Sequence, residues 1–203
     1  MRHHFRFCPL IVALMIAIAG CSDSGTSLID EEPSPTGHPL WAYPADYSTE
    51  RATLYGSKEF VLDMEYQTAD SLYFQGDPRI LIQLRYGNPW SMRLDFAFRI
   101  DCSILPLQVG EYPIVEPFEY AEGKCSGRHN EVTMSGFSGF EYRTLKGTLR
   151  ITEIQETPGG NQRVIGTVDA IFSNFNFVDG LDPDPSTHFR LTAGMNAFRR
   201  IED

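Results

Sequence analysis

The sequence predicts an all-β fold, an antiparallel β-sandwich of about eight strands. Three observations lead to this prediction: apolar side chains recur at every second position, turn-forming residues separate these segments, and helix signals are scarce. The 203 residues include 17 glycines and 13 prolines, a content that disfavours a helical bundle. A meander β-barrel of the lipocalin-like kind is the alternative with the same strand pattern.

Two predicted hairpins carry the clearest alternation. Residues 80–86 and 92–100 alternate apolar with polar side chains on either side of a turn at residues 87–89. Residues 145–154 and 163–172 form the second predicted hairpin across a turn that is rich in glycine. Each strand has one apolar face and one polar or charged face, which is typical of an antiparallel sheet that is buried on one side.

The remaining elements are less regular. Further strands are predicted near residues 60–66, 132–137 and 189–198, and Gly194 suggests a β-bulge in the last of them. Residues 46–55 predict a short helix, because their first side chains are good helix caps.

The first twenty residues have the composition of a secretory signal peptide. Arg2 and Arg6 supply the basic region, and an apolar stretch of ten residues follows at positions 10–19. A helix that spans a bilayer needs roughly twenty apolar residues, so this stretch has the length of a signal and not of a membrane anchor.

A motif that resembles the lipobox of bacterial lipoproteins ends this segment. It consists of Ile18, Ala19, Gly20 and Cys21. In that family the cysteine carries diacylglycerol and the chain is cut just before it, so the resemblance implies that Cys21 is lipidated and that residues 1–20 are removed. An ordinary secretory signal with an incidental cysteine is the alternative. Two or more acyl chains hold a protein stably at a membrane. Ser22 takes the place of the aspartate that retains proteobacterial lipoproteins at the inner membrane, which favours the outer membrane.

Residues 21–39 are predicted to comprise the lipidated cysteine and a flexible tether, and residues 40–203 a single all-β domain. Small, acidic and proline residues dominate the tether, which has four acidic and no basic residues. The domain has 15 basic and 23 acidic residues, a net charge of −8. Nucleic-acid binding is not expected, because it requires a strongly basic surface.

Two cysteines remain for the mature domain. Cys8 leaves with the signal peptide and Cys21 takes the lipid, so Cys102 and Cys125 are predicted to form a disulfide in the exported chain. Two buried thiols or a reactive pair are the alternatives. The spacing does not match a Cys-x-x-Cys redox motif, and neither cysteine has a histidine at metal-ligand spacing.

No catalytic residues are predicted. Residues 136–140 differ by one position from the Gly-x-Ser-x-Gly pattern that exposes a nucleophilic serine. His129, which lies in a predicted turn, and His188 would serve a dispersed hydrolase site only if a serine and a carboxylate lay beside one of them.

An acidic loop near the C-terminus is the strongest candidate for a metal-binding site. It contains Asp179, Asp182 and Asp184. Clustered carboxylates on a turn suit calcium, but the EF-hand spacing is absent and loops of this acidic, proline-rich kind are ordinarily solvated. We therefore expect no cofactor, with calcium at these aspartates as the alternative.

The C-terminal half contains a loose progression of strand and turn motifs. They are Gly-Glu-Tyr at residues 110–112 and the segments at residues 147–154, 166–172 and 191–198. The progression resembles the uncharacterised all-β lipoprotein domains of the DUF6252 kind, although Val168 and Ile171 stand where those domains have aromatic residues. The resemblance implies an all-β lipoprotein domain and carries over no catalytic residue.

These observations together predict a lipid-anchored envelope protein whose β-domain has a binding or structural role and is not an enzyme. The expected partners are the membrane, through the N-terminal lipid, and an envelope protein. The alternative is a lipocalin-like carrier of a small apolar ligand, which requires strands that enclose a cavity.

Overall fold

The computed structural model describes residues 37–74, 77–86, 96–131, 140–175 and 183–201. The chain divides into two compact units, Met1–His38 and Pro39–Asp203. The predicted signal peptide, the lipobox with Cys21, and most of the tether lie outside the described residues. The fold below is that of the second unit.

Nine strands make up this unit. They are β1 (Arg51–Gly56), β2 (Phe60–Phe74), β3 (Asp77–Tyr86), β4 (Phe96–Cys102), β5 (Gly110–Val115), β6 (Cys125–Glu131), β7 (Phe140–Glu156), β8 (Gln162–Asn174) and β9 (Phe189–Arg199). The helical elements in the described part of the chain are three short 3-10 turns, at Pro39–Ala42, Pro117–Glu119 and Pro185–Thr187. None of them has the length and apolar character needed to cross a bilayer. The predicted all-β class is confirmed.

The strands form one mixed sheet with an irregular order. Hydrogen bonds link them as β1-β2-β3-β4-β6-β5-β7-β8-β9, and β9 pairs with β1, so that the sheet closes on itself. The pairs are antiparallel except for β5 with β6 and a single contact between β2 and β9. β5 pairs with both β6 and β7, and β6 also pairs directly with β7. The strand order therefore departs from that of a regular meander barrel.

The interior is filled by side chains from opposite parts of the sheet. The ring of Phe98 on β4 lies 5.4 Å from that of Phe172 on β8 and 6.2 Å from that of Phe189 on β9, between centroids. Each of these rings is fully buried, and burial of one such side chain stabilises the fold by about 1.5–3 kcal/mol. This face-to-face packing is that of a β-sandwich, as predicted, with nine strands where about eight were expected.

Both predicted hairpins are present. β3 pairs with β4 and β7 with β8, each pair antiparallel. The side chains predicted to be apolar-face residues are buried in both hairpins: Ile80, Ile82, Leu84, Tyr86, Phe98, Ile100, Leu149, Ile151, Val164, Val168, Ala170 and Phe172. The turn at residues 87–89, residues 92–95 of the second predicted strand, and the strand predicted at residues 132–137 lie outside the described residues.

The predicted helix at residues 46–55 is wrong, because most of this segment is β1. Ala52 and Leu54 are buried at a spacing of two, and β1 pairs with both β2 and β9. Asp46 accepts a hydrogen bond from the backbone N–H of Ser48 at 3.2 Å, which is a turn and not a helix cap. Burial in the sheet therefore outweighs the local helix signal.

The predicted bulge at Gly194 is also wrong. β9 keeps a continuous register with β8, and Gly194 lies directly opposite Thr167. A Cβ atom at this position would lie 2.3 Å from the carbonyl oxygen of Tyr47, so the glycine is explained by close approach of another segment. The register shifts occur instead in β2, between Met64 and Tyr66, and at two places in β7.

The predicted disulfide is confirmed. Cys102 at the end of β4 lies directly opposite Cys125 at the start of β6, and their sulfur atoms are bonded. Both residues are fully buried in the core. The bond therefore joins two neighbouring strands at one end of their pairing.

Candidate binding groove

A groove of about 540 Å³ lies on the outer face of the sheet across β3, β4, β6 and β7. The residues that line it are Arg79, Leu81, Arg99, Asp101, Pro117, Tyr120, Ser126, Gly127, Arg128 and Arg143. We call it the arginine groove after its four arginines. The domain contains 12 arginines in all, so a third of them line this single depression.

Strand alternation places these arginines on the outer face. On β4, Phe98 and Ile100 are buried and Arg99 between them is not; on β6, His129 is buried and Arg128 is exposed. The register then brings the cations together, because Arg128 lies directly opposite Arg99 on one side and opposite Arg143 on the other. Three arginines on three adjacent strands thus form one row.

The row carries positive charge that the protein only partly neutralises. Arg143 forms an ion pair with Glu141 on its own strand. Arg99 and Arg128 form no ion pair with any residue in the described part of the chain. Like charges directly opposite each other on neighbouring strands destabilise a sheet. Neighbouring strands lie about 4.8 Å apart, which is less than the screening length of about 8 Å at physiological salt, so salt does not fully screen the repulsion between these arginines.

The wall of the groove is built on Asp101. Its carboxylate accepts hydrogen bonds from the Tyr120 hydroxyl at 3.2 Å and from Nη1 of Arg79 at 3.5 Å. The Arg79 guanidinium also lies over the Tyr120 ring, 4.7 Å from its centroid. Burial, reinforced by the charge of Asp101, raises the pKa of Tyr120 to about 12. Tyr120 is therefore a neutral, fixed side chain at neutral pH.

The floor of the groove is held by Thr144. Its hydroxyl is fully buried, accepts a hydrogen bond from the Gly127 N–H at 2.8 Å and donates one to the Val115 carbonyl at 2.8 Å. A Cβ atom at Gly127 would lie 2.6 Å from the Thr144 methyl group, so only glycine fits there without movement. β5, β6 and β7 are thereby joined beneath the arginine row.

The chemistry of this groove is recognition of anions. Guanidinium groups stay protonated at physiological pH and present a planar fork of donors that matches carboxylate and phosphate oxygens. The described lining residues include no histidine, cysteine or lysine that would serve as a nucleophile or base at neutral pH.

His129 lies in β6 and not in the predicted turn. Its ring is 1% exposed, stacks on Phe98 with centroids 4.4 Å apart, and its Nδ1 lies 3.2 Å from the Ala97 carbonyl oxygen. Gly127 and Asn130 suggested a turn locally, but both residues pair with β4. These are the contacts of a core side chain.

The second histidine lies beside a serine and a carboxylate. Burial lowers the pKa of His188, and Asp184 opposes that shift. The Ser186 hydroxyl donates its hydrogen bond to Asp184 at 2.7 Å, whereas in a catalytic triad the serine donates to the imidazole. Asp184 also accepts from the Ser186 N–H at 2.9 Å, so its carboxylate caps the 3-10 turn at Pro185–Thr187.

The predicted calcium site at the acidic loop includes residues that the structure does not describe. Asp179 and Asp182 are not among the described residues, and Asp184 has the capping role just given. Within the described ranges, no group of three histidine, cysteine or acidic residues is arranged to hold a metal. Calcium binding at the acidic loop stays a prediction.

The sequence did not single out the arginine groove. Arg99 belongs to the charged face of a predicted strand, but the sequence predicts a turn around Arg128. The row depends on β4 pairing with β6, two strands that the chain separates by β5. The signal present in the sequence is that Arg99 lies between two apolar residues of a predicted strand, on its polar face, in an acidic domain.

Comparison with known proteins gives no relative from which a function can be transferred. No family model matches the chain, and no curated protein and no solved structure matches it. The resemblances to lipoprotein signals and to DUF6252-like domains stay predictions.

Proposed function

We propose that this chain is a lipid-anchored envelope protein whose β-domain is a non-enzymatic binding domain. The observation that supports a binding role is the arginine groove, a concave surface in which Arg99 and Arg128 form no ion pair with a described residue, on a domain of net charge −8. Clustered guanidinium groups in a concave surface are suited to hold an anionic ligand.

Anchorage rests on Cys21 and on the charge of the chain. The tether and the domain are both acidic, so electrostatic attraction to anionic headgroups does not hold them at a membrane. A lipid on Cys21 supplies the attachment instead, and Ser22 favours the outer membrane. The tether gives the domain a reach of about 23 Å from the lipid surface, by the scaling of flexible linkers.

The packing of the core argues against a carrier of apolar ligands. Such a carrier needs an interior cavity, and here the rings of Phe98, Phe172 and Phe189 meet across the interior of the domain. We therefore favour binding on the outer face over binding inside.

Anchorage is tested by replacing the lipidated side chain. Wild-type protein should partition into the detergent phase of a Triton X-114 extraction and sediment with outer membranes. The Cys21→Ser variant should appear in the aqueous phase, with Cys8→Ser as the matched control that still partitions into detergent. Membrane association of Cys21→Ser would contradict the anchor.

Binding is tested by amide hydrogen exchange on the full-length protein in isolated envelopes. We expect slower exchange within Phe96–Cys102 and Cys125–Glu131 than in the same protein after extraction into non-ionic detergent. The purified Cys21→Ser protein in aqueous buffer is the control for the free state. Identical exchange of all segments in the two preparations would contradict a binding role.

A further inference from the structure

We infer that the arginine groove binds an oligoanion, a ligand with at least two carboxylate or phosphate groups on neighbouring units. The inference rests on the proposed binding function and assigns its ligand class. It follows from the row of Arg99, Arg128 and Arg143, from the wall beside that row, and from the charge of the whole domain.

The row itself sets the number and spacing of the anionic groups. Arg99, Arg128 and Arg143 occupy facing positions on three adjacent strands. Neighbouring strands lie about 4.8 Å apart, so the row spans about 10 Å across the strands. A single small anion can contact only part of a row of this length. A chain of charged units laid across the strands can present one oxyanion to each guanidinium.

Two of these arginines lack an ion pair within the described ranges, and this provides the driving force. Arg99 and Arg128 face each other without an ion pair to any described residue, and their repulsion weakens the free protein. A bound anion between them removes that repulsion and adds charge-assisted hydrogen bonds, which are stronger than neutral ones. Binding should therefore stabilise the fold as well as fill the groove.

Asp101 orients the ligand. Its carboxylate lies two positions along β4 from Arg99, and it is already engaged by Tyr120 and Arg79. Because this carboxylate repels anions, the charged groups of the ligand are directed to the arginine row. The apolar surfaces of Pro117 and Leu81 remain for the uncharged part of each unit.

The size of the groove and the charge of the domain limit the ligand to a short oligomer. A groove of about 540 Å³ is in the range of sites for small molecules, roughly 300–1,000 Å³. Beyond the groove, a domain of net charge −8 repels a long polyanion. Acidic oligosaccharides and short polyphosphates share the required chemistry.

Two anionic probes distinguish an acidic oligosaccharide from a short polyphosphate as the ligand. The full-length protein in non-ionic detergent is titrated calorimetrically with trigalacturonate, with inorganic tripolyphosphate, and with maltotriose as the uncharged control. We expect one of the two anionic probes to bind, with an affinity that falls as salt rises, and maltotriose not to bind. The tighter of the two identifies carboxylate or phosphate as the preferred group.

Paired variants show whether the row is the site. Arg99→Gln/Arg128→Gln should weaken binding by about tenfold or more, the loss expected when two charge-assisted hydrogen bonds are removed. Arg163→Gln/Arg200→Gln removes the same charge from exposed positions outside the groove and should change affinity less than about twofold. Thermal unfolding of both double variants without ligand verifies that they are folded.

The outcomes are distinct. Binding of an anionic probe that depends on Arg99 and Arg128 supports the inference. Failure of both anionic probes, equal binding of maltotriose, or equal loss in the two double variants overturns it. If hydrogen exchange in envelopes is still slowed while both probes fail, the ligand class is wrong and the proposed binding function stands.

Discussion

Arg190 holds Asp169 by both carboxylate oxygens, with Nε 2.8 Å from Oδ1 and Nη2 2.7 Å from Oδ2. The remaining Nη1 donates to the carbonyl oxygens of Leu40 and Tyr43 at 3.2 and 2.6 Å. This guanidinium therefore joins β8 and β9 to the segment that leads into the domain, and the Trp41 ring lies 4.7 Å from it. Burial lowers the pKa of Arg190, but the hydrogen bonds and charge of Asp169 outweigh burial and raise it overall.

The first prediction concerns this pair. Asp169→Asn should lower the free energy of unfolding by about 3–5 kcal/mol, because removal of one partner leaves a buried charge uncompensated. The Arg190 side chain is only 5% exposed. Glu111→Gln breaks the exposed pair with Arg150 and should cost less than about 1 kcal/mol. Urea unfolding of both variants measures the difference, and equal costs would refute a stabilising role for the buried pair.

The second prediction concerns alkaline pH. Burial, together with the charge of Asp169, raises the pKa of Tyr47 to about 12, and its hydroxyl donates to Asp169 at 2.9 Å. A folded-state pKa above the unfolded value means that the contribution is fully present below about pH 10 and is lost as pH rises towards 12. Tyr47→Phe should therefore show a shallower loss of stability over this range in urea titrations. Tyr43→Phe, an exposed tyrosine in the same segment, is the control and should follow wild type.

The strand pattern of this protein was predictable because burial on one face imposes a period of two. Ile80, Ile82 and Leu84 show that period without interruption, and each is fully buried. The disulfide was predictable for a different reason, since only Cys102 and Cys125 remain if Cys8 belongs to a signal peptide and Cys21 carries a lipid, as the sequence predicts. These inferences depend on composition along the chain and on its predicted export, not on long-range pairing.

The parts that were not predictable depend on which strands become neighbours. Arg99 and Arg128 meet only because β4 pairs with β6, and nothing in the sequence fixes that order. Pairing in the sheet also outweighed local sequence signals at two places. The segment after Asp46, predicted to be a helix, contains strand β1. Gly194, predicted to mark a bulge, instead allows a close approach of the backbone at Tyr47. Propensity describes the isolated segment, whereas burial against distant strands decides the outcome.

The third prediction tests that close approach. The Gly194 N–H donates to the Ser48 carbonyl at 2.8 Å, and a Cβ atom would lie 2.3 Å from the carbonyl oxygen of Tyr47. Gly194→Ala should destabilise the domain by about 1–3 kcal/mol, the usual cost of overpacking. Gly110→Ala is the matched strand control, because the nearest atom to its Cβ is 3.5 Å away, and it should cost less than about 1 kcal/mol. Equal thermal unfolding of the two variants would contradict this account of Gly194.

The fourth prediction links the disulfide to the arginine groove. Cys102 and Cys125 face each other three positions from Arg99 and Arg128 on the same two strands, so the bond fixes the register of the arginine row. Cys102→Ala/Cys125→Ala should lower the free energy of unfolding by about 3 kcal/mol, the value for a closed loop of this length. At a temperature where the variant is still folded, it should also bind the anionic probe more weakly than wild type. Thr144→Val is the comparison variant. It removes the hydrogen bond from the Thr144 hydroxyl to the Val115 carbonyl on the other side of the groove floor and leaves the disulfide intact. Full affinity in the folded double alanine variant would show that the strands hold the row without the disulfide.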